Sequence, residues 1–549
     1  MEFNLAQVHD AVAAAVPDRE CIVWRGRRLS YAQVAERTDR LANHLLAAGL
    51  GLQTARSELS GHESGQDHLA IYLHNGNEYL EAMLGAYKAR LAPFNVNYRY
   101  VAEELRYLLN DSQARAVVFH SAFADRVAEV RGDLPNLTVL LQVDDGSGAP
   151  LLEGAAWYED ALAAASADTP SAELSPDDLY ILYTGGTTGM PKGVLWRQAD
   201  IFVASLGGRG PAGEWESLEA IATAADGGGA RMMPAPPFMH GAGHWMAFNA
   251  FTGGNTIVIQ NDVIGLDADD VWATIEREKV SALLIVGDAF GRPLVEELEK
   301  KGEGAYDVSS LFAIISGGAP LNSTIKDRLL AALPGKMIID AVGASETGSQ
   351  MSHVSAGGAQ ASTGTFTPGP GVAIVSDDMS TVLAAGHEET GWLAQEGRVP
   401  LGYLGDADKT ARTFPVINGV RYSVPGDRAR LTADNIIELY GRDSVTINSG
   451  GEKIFAEEVE QSLAHHPDVS DVVVAGRPSE KWGSEVVAII QLREGVSPDD
   501  VTQKALLLEA EKHIARFKLP KVFKFVDHVQ RSPSGKADYR WAKAQAEES

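Results

Sequence analysis

Cysteine is nearly absent from this sequence, with Cys21 the single one among 549 residues. One thiol cannot form an internal disulfide, which excludes a disulfide-stabilised secreted scaffold and fits a reducing compartment. Its neighbours Ile22 and Val23 are apolar, so we expect Cys21 inside a strand. If the chemistry of the protein needs a thiol, we expect the substrate to supply it.

Long apolar runs are also absent, and no stretch approaches the length of a membrane span. Residues 1–4 (MEFN) do not form a basic region followed by an apolar run, so the sequence predicts no secretory signal. We expect a cytoplasmic protein without an integral membrane segment.

Basic residues are fewer than acidic ones. The sequence has 47 Lys and Arg against 74 Asp and Glu, which gives a formal net charge of −27. Such a field repels nucleic acid and anionic membranes, which disfavours both as partners. It also repels nucleotide phosphates. A nucleotide site would therefore need local backbone N–H groups, cations and a metal ion.

The length predicts two or more domains, and 45% hydrophobic residues are enough for their cores. Helical and strand patterns alternate in two regions, which predicts βα units and parallel sheets. The segments that carry this pattern are helices at 5–15, 31–48, 269–279 and 324–333, and strands beginning at 69 and at 179–184, 256–260, 282–286 and 312–316. Residues 144–178 are predicted to be a linker.

From about residue 371 to 440 the strands are short and turns are frequent, as in a small barrel. The tail has its own helix and strand patterns. The predicted fold class is therefore α/β. A large N-terminal domain, 1–441, contains two parallel-sheet subdomains and a small β-barrel, and a small mobile α+β domain covers 442–549.

A glycine- and threonine-rich segment, residues 183–193 (YTGGTTGMPKG), directly follows a strand. Glycines let backbone N–H groups approach an anion, and threonine hydroxyls add donors, so the segment is a candidate phosphate cradle. It is neither a Walker A loop nor a G-x-G-x-x-G motif. Taken alone, it could equally be a flexible glycine turn.

This segment resembles the signature loop of the adenylate-forming (ANL) superfamily, which includes acyl-CoA synthetases, adenylation domains of peptide synthetases and luciferases. Further segments resemble other parts of that family, in family order, across residues 180–536. They are 237–241 (PFMHG), 316–320 (SGGAP), 340–347 (DAVGASET), 424–427 (VPGD), 441–442 (GR), 449–453 (SGGEK) and 532–536 (SPSGK). Each segment alone is an ordinary turn or loop, and the resemblance depends on their joint order.

The resemblance implies an ATP site. Its residues would be Thr184, Gly185, Gly186, Thr187, Thr188, Gly189, Lys192, Gly318, Ala319, Pro320, Asp340, Ala341, Val342, Gly343, Ser345, Asp427 and Arg442. Asp427 and Arg442 would contact the ribose. The sequence departs from the family at Val342, where an aromatic residue usually stacks on adenine, and at Pro425, where threonine is usual.

The resemblance also implies the catalytic groups. Lys536 would bridge the substrate carboxylate and the α-phosphate, and Thr188 with Glu346 would hold Mg²⁺, which prefers carboxylate and phosphate oxygens. His240 would gate the acyl pocket. In isolation these would be a surface lysine, a solvated loop acid and a packed histidine.

A hinge is implied directly after Arg442. The family usually has Asp or Lys at the position of Ser444, which here follows Asp443. Rotation about the hinge would withdraw Lys536 and present Ser449, Gly450 and Gly451 as the thiolation site that faces CoA.

The acyl pocket is assigned to His240, Gly241, Gly287 and Asp288. No Asp occurs in residues 236–240, which disfavours an amino-acid substrate, and small and apolar neighbours such as Ala242 favour a hydrophobic acid. Asp288 would either meet a polar group of the substrate or cap a helix. Residues 397–414 are similar to bacterial fatty-acid CoA ligases, including those for steroid side chains.

The sequence therefore predicts an AMP-forming acyl-CoA synthetase that uses ATP, Mg²⁺ and coenzyme A with a fatty or steroid side-chain acid. Two alternatives stay open: a ligase that loads a carrier-protein pantetheine, and an adenylate-binding protein silenced by its departures at Val342, Pro425 and Ser444. A homodimer is also left open.

Overall fold

The structure is a computed structural model. It describes residues 1–184, 190–357, 364–449, 452–479, 482–531 and 535–548, with the side chains at 452 and 453 left out. Up to residue 176 the elements are α1 (Leu5–Ala15), β1 (Glu20–Trp24), β2 (Arg27–Ser30), α2 (Tyr31–Ala47), β3 (His68–Tyr72), α3 (Asn77–Lys88), β4 (Ala92–Asn95), α4 (Ala102–Asp111), β5 (Ala114–His120), α5 (Ala124–Arg131), β6 (Val139–Val143), β7 (Ala156–Trp157) and α6 (Tyr158–Ala164).

The first sheet has the strand order β4-β3-β5-β6-β7, and every pairing in it is parallel. Helix α3 connects two of its strands and is buried at every residue. The predicted linker 144–178 contains β7 and α6 instead of being structureless. These elements are ordered because Trp157 pairs with Gln142 and the Tyr158 hydroxyl donates to Glu81 at 3.0 Å.

The middle of the chain holds most of the remaining elements. They are β8 (Leu179–Thr184), β9 (Lys192–Arg197), α7 (Gln198–Ser205), β10 (Arg209–Gly210), β11 (Gly213–Glu214), α8 (Leu218–Asp226), β12 (Arg231–Pro234), α9 (Gly241–Thr252), β13 (Thr256–Ile259), α10 (Ala268–Glu278), β14 (Ala282–Ile285), α11 (Gly287–Lys301), β15 (Ala313–Gly317), α12 (Ser323–Ala332), β16 (Met337–Ala344), β17 (Gly348–Ala356), β18 (Thr365–Pro368), β19 (Val372–Val375), β20 (Gly391–Glu396), β21 (Gly402–Tyr403), α13 (Ala407–Thr413), β22 (Val416–Ile417), β23 (Val420–Ser423), β24 (Asp427–Leu431) and β25 (Ile437–Arg442).

The second sheet is built around the parallel order β1-β13-β12-β14-β15-β16. It continues through antiparallel strands in the order β17-β18-β25-β24-β20-β23-β22, which is the region predicted to be a small barrel. The carboxyl ends of its parallel strands lie along one edge. In α/β proteins that edge is where ligands bind.

Strand β8 lies outside the second parallel sheet, although its position in the sequence suggested that it belonged there. It pairs antiparallel with β9, and β9 pairs with β21. The apolar pattern identified the strand but could not identify its partner. Val194, Leu195 and Trp196 of β9 are buried as well, so the two strands share one core.

The tail forms a smaller α+β unit. Its elements are β26 (Ile447–Ser449), β27 (Glu452–Ile454), α14 (Ala456–Ala464), β28 (Val469–Ser479), β29 (Gly483–Leu492), α15 (Asp500–Ala510), β30 (Val522–Phe525) and α16 (Tyr539–Glu547). Helices pack on both faces of its three-stranded sheet, around two hydrophobic clusters of their own. The α/β fold class with a small C-terminal unit is confirmed.

Within the described ranges, no helix combines the length and the apolar character that a membrane span requires.

Candidate active site

A cavity of about 670 Å³ lies where the small C-terminal unit meets the carboxyl edge of the large sheet. Thr184, Gly318 and Ser345 line it from strand ends, and Lys536 lines it from the small unit. The volume is that of a small-molecule site. The cavity therefore brings together residues that lie more than 300 positions apart in the sequence.

Lys536 lies inside this cavity rather than on the outer surface. Its side chain is accessible within the cleft, yet the surrounding protein desolvates the ammonium, and together with Arg442 this lowers its pKa. Glu346 and Asp427 oppose that shift. A lysine placed this way offers a positive charge to an anion that enters the cavity.

Glu346 lies in the turn between β16 and β17. Its Oε1 accepts a hydrogen bond from the Tyr403 hydroxyl at 2.8 Å, and the Lys409 ammonium lies 3.9 Å from the centre of the Tyr403 ring. Burial, followed by Glu346, raises the pKa of Tyr403. Tyr403 and Lys409 were not assigned from the sequence, although both fall in the stretch 397–414 that carries part of the resemblance.

The described residues contain no group of three or more His, Cys, Asp and Glu arranged for a metal ion. Glu346 is a single carboxylate, and Thr188 lies outside the described residues. This donor set fits Mg²⁺ that takes most of its ligands from substrate phosphates and water. It does not fit an all-protein metal cage.

His240 directly precedes α9 and lines the cavity. Its Nε2 atom is buried, and no group in the described part of the chain bonds to it. Burial, followed by the charge of Lys536, lowers the pKa of His240 to about 3. The imidazole is therefore neutral at physiological pH and lies within the electrostatic reach of Lys536.

Asn95 lines the cavity and joins two other segments of its lining by hydrogen bonds. It was not assigned from the sequence. Its Nδ2 donates to the Tyr183 carbonyl at 2.9 Å and to the Met239 carbonyl at 2.8 Å, and its Oδ1 accepts from the Tyr183 N–H at 2.8 Å. These bonds hold the end of β8 against the segment that carries His240. Asn95 is the last residue of β4, and an Asn at a strand end was the one local signal in the sequence. Its partners lie far away in the sequence and could not be predicted.

One face of α9 forms a long wall of the cavity, through Gly241, Ala242, Trp245, Met246 and Asn249. The facing wall is mostly apolar and includes Leu182, Met232, Leu284, Val286 and Ile315. This part of the cavity can hold an apolar chain. Gly241 and His240 therefore lie where an acyl pocket was expected.

Gly287 and Asp288 are not among the residues that line this cavity, and their assignment to the acyl pocket stays a prediction. Gly287 begins α11, and its N–H donates to Ser316 Oγ at 3.2 Å. Asp288 accepts from the Asn322 N–H at 2.8 Å and from the Asn322 side chain. Its carboxylate is thus used to order the segment before α12.

Several of the residues that were expected to bind the nucleotide line the cavity, including Thr184. Gly318, Ala341, Val342, Gly343 and Ser345 line the cavity.

Ala319, Pro320 and Asp340 are not among the residues that line the cavity, and their contact with the nucleotide stays a prediction. Asp340 is buried and pairs with Lys326 at 2.5 Å. Its carboxylate therefore neutralises a buried lysine. Ala319 and Pro320 follow the left-handed Gly318, where the chain turns away towards α12.

Asp427 and Arg442 face each other across the paired strands β24 and β25, with 3.5 Å between Oδ1 and Nε. Asp427 raises the pKa of Arg442. Glu457 of α14 approaches the same pair, and burial, followed by Glu460 and Asp427, raises its pKa to about 8. Glu457 is a third charged group at this point that sequence reasoning did not assign.

Lys192 begins β9 and lies 3.5 Å from Asp111. Burial opposes its charge, but Asp111 and Tyr107 more than compensate and raise the pKa of Lys192. The residues between Thr184 and Lys192 that were assigned to the phosphate cradle, Gly185, Gly186, Thr187, Thr188 and Gly189, lie outside the described residues.

The expected hinge residues form a short 3-10 turn, Asp443–Val445, directly after β25. The Asp443 N–H donates to the Gly426 carbonyl at 3.1 Å, and Ser444 is exposed. Ser449 ends β26. Gly450 and Gly451, the rest of the expected thiolation site, are not among the described residues.

Comparison with known proteins agrees with this geometry. The family model for AMP-binding enzymes matches residues 9–403, and the model for the C-terminal domain of AMP-binding enzymes matches residues 458–536. The medium-chain acyl-CoA ligase Mig of Mycobacterium avium is 57% identical over 547 residues, which cover 99% of this chain and 98% of that protein. A 3-oxocholest-4-en-26-oate–CoA ligase of Rhodococcus rhodochrous is 39% identical, covering 99% and 96%.

Among solved structures, the anthranilate CoA ligase AuaEII in complex with anthranoyl-AMP superposes with a TM-score of 0.82. It is 21% identical, and the match covers 99% of this chain and 97% of that one. This likeness confirms the fold. Together, the family models and the relatives show that the chain belongs to the family of AMP-binding enzymes.

Proposed function

We propose that this enzyme activates a hydrophobic carboxylic acid with ATP to give acyl-AMP and then transfers the acyl group to coenzyme A. The products are acyl-CoA, AMP and pyrophosphate. One observation carries the proposal: Lys536 of the small unit lines the same cavity as Thr184 and His240. The named activities of the two relatives, both CoA ligases, support CoA as the acceptor.

In the first half-reaction a carboxylate oxygen attacks the α-phosphorus of ATP. A new oxygen–phosphorus bond forms, and the bond to the pyrophosphate oxygen breaks. Two anions must approach each other, and Lys536 supplies a positive charge where they would meet. The wall formed by Asn95, Tyr183 and His240 positions the reactants, which reduces the entropic part of the barrier.

Glu346 and Thr188 are the residues that would hold Mg²⁺ together with the phosphates. The ion would supply charge neutralisation to the polyphosphate. The Tyr403 hydroxyl keeps the Glu346 carboxylate oriented, and Lys409 adds a nearby cation. Asp427 and Arg442 are proposed to contact the ribose, because both lie within electrostatic reach of Lys536, which lines the cavity.

The acyl group is proposed to lie along α9. The apolar wall there accepts the hydrocarbon part of a medium-chain acid or of a steroid side-chain acid, the two kinds of substrate named for the relatives. Burial of that apolar surface would contribute about 25 cal/mol per Å² to binding. A charged amino-acid substrate would find no carboxylate among the described residues of that wall.

In the second half-reaction the CoA thiol attacks the carbonyl carbon of acyl-AMP, and AMP leaves. We propose that the unit 442–549 rotates about Asp443 and Ser444 for this step, which withdraws Lys536 and presents Ser449, Gly450 and Gly451. No protein nucleophile is needed, because AMP is already a good leaving group.

Mass spectrometry of the products tests the proposal. The enzyme is incubated with ATP, Mg²⁺ and either CoA or a holo carrier protein, together with fatty, aromatic and steroid acids. We expect acyl-CoA, AMP and pyrophosphate from at least one hydrophobic acid. Acyl transfer to the carrier protein alone would contradict CoA as acceptor, and no pyrophosphate from any acid would contradict catalysis itself.

A further inference from the structure

The acyl channel has a polar end. Along α9, cavity-lining residues recur on successive turns from Gly241 through Trp245 to Asn249. At 1.5 Å per residue, Asn249 lies about 12 Å along the helix from Gly241. Gly241 is next to His240, at the reactive end, so Asn249 marks the opposite end of the channel.

The orientation of the Asn249 amide follows from its partners. Its Nδ2 donates to the Ser205 carbonyl at 2.6 Å and to the Trp245 carbonyl at 2.8 Å. Both partners are acceptors, so nitrogen and oxygen cannot be exchanged without losing both bonds. None of the hydrogen bonds among the described residues uses Asn249 Oδ1, and the side chain borders the cavity.

Ser205 supplies a complementary group at the same place. It is the last residue of α7, it lines the cavity and it is only 8% exposed. Its hydroxyl oxygen accepts from the Ser349 N–H at 2.9 Å. The Ser349 hydroxyl also donates to Ser205 Oγ at 3.5 Å, and no hydrogen bond among the described residues has the Ser205 hydroxyl as its donor. One end of an otherwise apolar channel therefore offers an acceptor and a donor side by side.

We propose that Asn249 and Ser205 form a subsite for a hydroxyl group carried at the far end of the acid. An alcohol can donate to Asn249 Oδ1 and accept from the Ser205 hydroxyl. A separation of about 12 Å corresponds to roughly ten bonds of an extended chain, taking the span of an extended backbone as the guide. The inference rests on the proposed acyl-CoA synthetase function and names an ω-hydroxylated acid of medium length as its substrate class.

The energetic reason lies in the unmatched acceptor. A methyl terminus would displace water from Asn249 Oδ1 and leave that oxygen without a donor. Sites that bind a substrate hydroxyl discriminate strongly against the analogue without it, whereas one extra methylene changes rates only modestly. Asn249 would therefore determine specificity without taking part in bond making.

The test compares kcat/KM for octanoic, decanoic and dodecanoic acids with the values for their ω-hydroxy counterparts. The readout is the release of pyrophosphate from ATP in the presence of CoA. We expect the wild-type enzyme to prefer the hydroxy acid at least about tenfold at one chain length near ten carbons. Asn249→Leu should reverse that preference. Met246→Leu, on the same helix face but without a polar atom, should keep the ratio.

Ser205→Ala guards against a folding defect, because it leaves both Asn249 amide bonds in place. It should reduce the preference for the hydroxy acid several-fold. The inference would be overturned if the wild-type enzyme used each hydroxy acid and its plain counterpart equally well. It would also be overturned if Asn249→Leu and Ser205→Ala both kept the wild-type ratio of the two kcat/KM values. Absence of acyl-CoA from every acid would instead overturn the proposed function beneath it.

Discussion

Tyr403 shows how a residue outside the recognised motifs can set the geometry of one inside them. Its hydroxyl donates to Glu346 at 2.8 Å, and its ring lies beneath the Lys409 ammonium. The carboxylate proposed to hold Mg²⁺ is thus oriented by a neighbour from β21. The hydrogen bond to a charged group makes this contact stronger than one between neutral groups.

Tyr403→Phe should lower the rate of acyl-AMP formation about tenfold, since a hydrogen bond to a charged group contributes about 1.5 kcal/mol. The measurement is pyrophosphate release as a function of Mg²⁺ concentration, with a shift to higher Mg²⁺ expected. Tyr422→Phe is the matched control, because the Tyr422 hydroxyl also donates to a carboxylate at 2.8 Å, but that carboxylate, Glu396, is not proposed to hold Mg²⁺. Equal effects of the two substitutions would contradict this role for Tyr403.

Individual site residues were predictable from sequence to the extent that they sit in local motifs. Lys536, His240, Gly318 and Ser345 all reach the cavity as expected. Asp340 does not, because its carboxylate neutralises the buried Lys326. An ion pair leaves no local pattern in the sequence, so the motif position of Asp340 could not predict its pairing with Lys326.

Helix α14 packs closely on the end of strand β25, and a glycine makes this possible. Gly441 has φ +107°, and a Cβ at this position would lie 2.5 Å from Glu457 Oε2. The helix thereby brings Glu457 next to Asp427 and Arg442. Burial, together with Glu460 and Asp427, raises the pKa of Glu457 to about 8 from an ordinary value of 4.5.

This packing predicts a pH dependence of stability. Between pH 4.5 and about 8 the folded chain keeps a proton on Glu457 that the unfolded chain releases, so Glu457 destabilises the fold increasingly as pH rises through that window. Glu457→Gln should match the wild-type Tm near pH 4.5 and exceed it by roughly 2–4 °C at pH 8 and above. The measurement is differential scanning calorimetry from pH 4.5 to 9.

Glu458→Gln is the control, since the neighbouring Glu458 carboxylate already pairs with the Lys518 ammonium at 2.6 Å. We expect no gain in Tm from it at any pH. A Glu457→Gln difference that stays constant with pH would show that Glu457 does not keep its proton in the folded chain.

Element types were more predictable than element partners. Helices α1 and α2 begin at capping residues, Asn4 and Ser30, that are visible in the sequence. The pairing of β8 with β9 was not visible, because buried strands of parallel and antiparallel sheets can carry the same apolar run. Helix α6 was missed because its segment is rich in Ala, Ser and Asp, and it is ordered by contacts with distant residues, including its packing on α2 and β6.

The whole molecule has to bind polyanions despite a net charge of −27. The structure concentrates cations around Glu346: Lys536, which lines the cavity, Arg442 and Lys409 all lie within its electrostatic reach. The overall acidic field opposes ATP at long range, and the local cations attract it at short range. This arrangement makes the position of the small unit, which carries Lys536, decisive for the first half-reaction.

The most direct test of the role of Lys536 in adenylation measures the two half-reactions separately in the Lys536→Ala variant. Pyrophosphate release from ATP and a hydrophobic acid should fall at least about a thousandfold, as expected when a charge that stabilises the transition state is removed. Formation of acyl-CoA from supplied acyl-AMP and CoA should stay within about twofold of wild type. Equal losses in both reactions, or full pyrophosphate release by the variant, would contradict the assignment of Lys536 to adenylation.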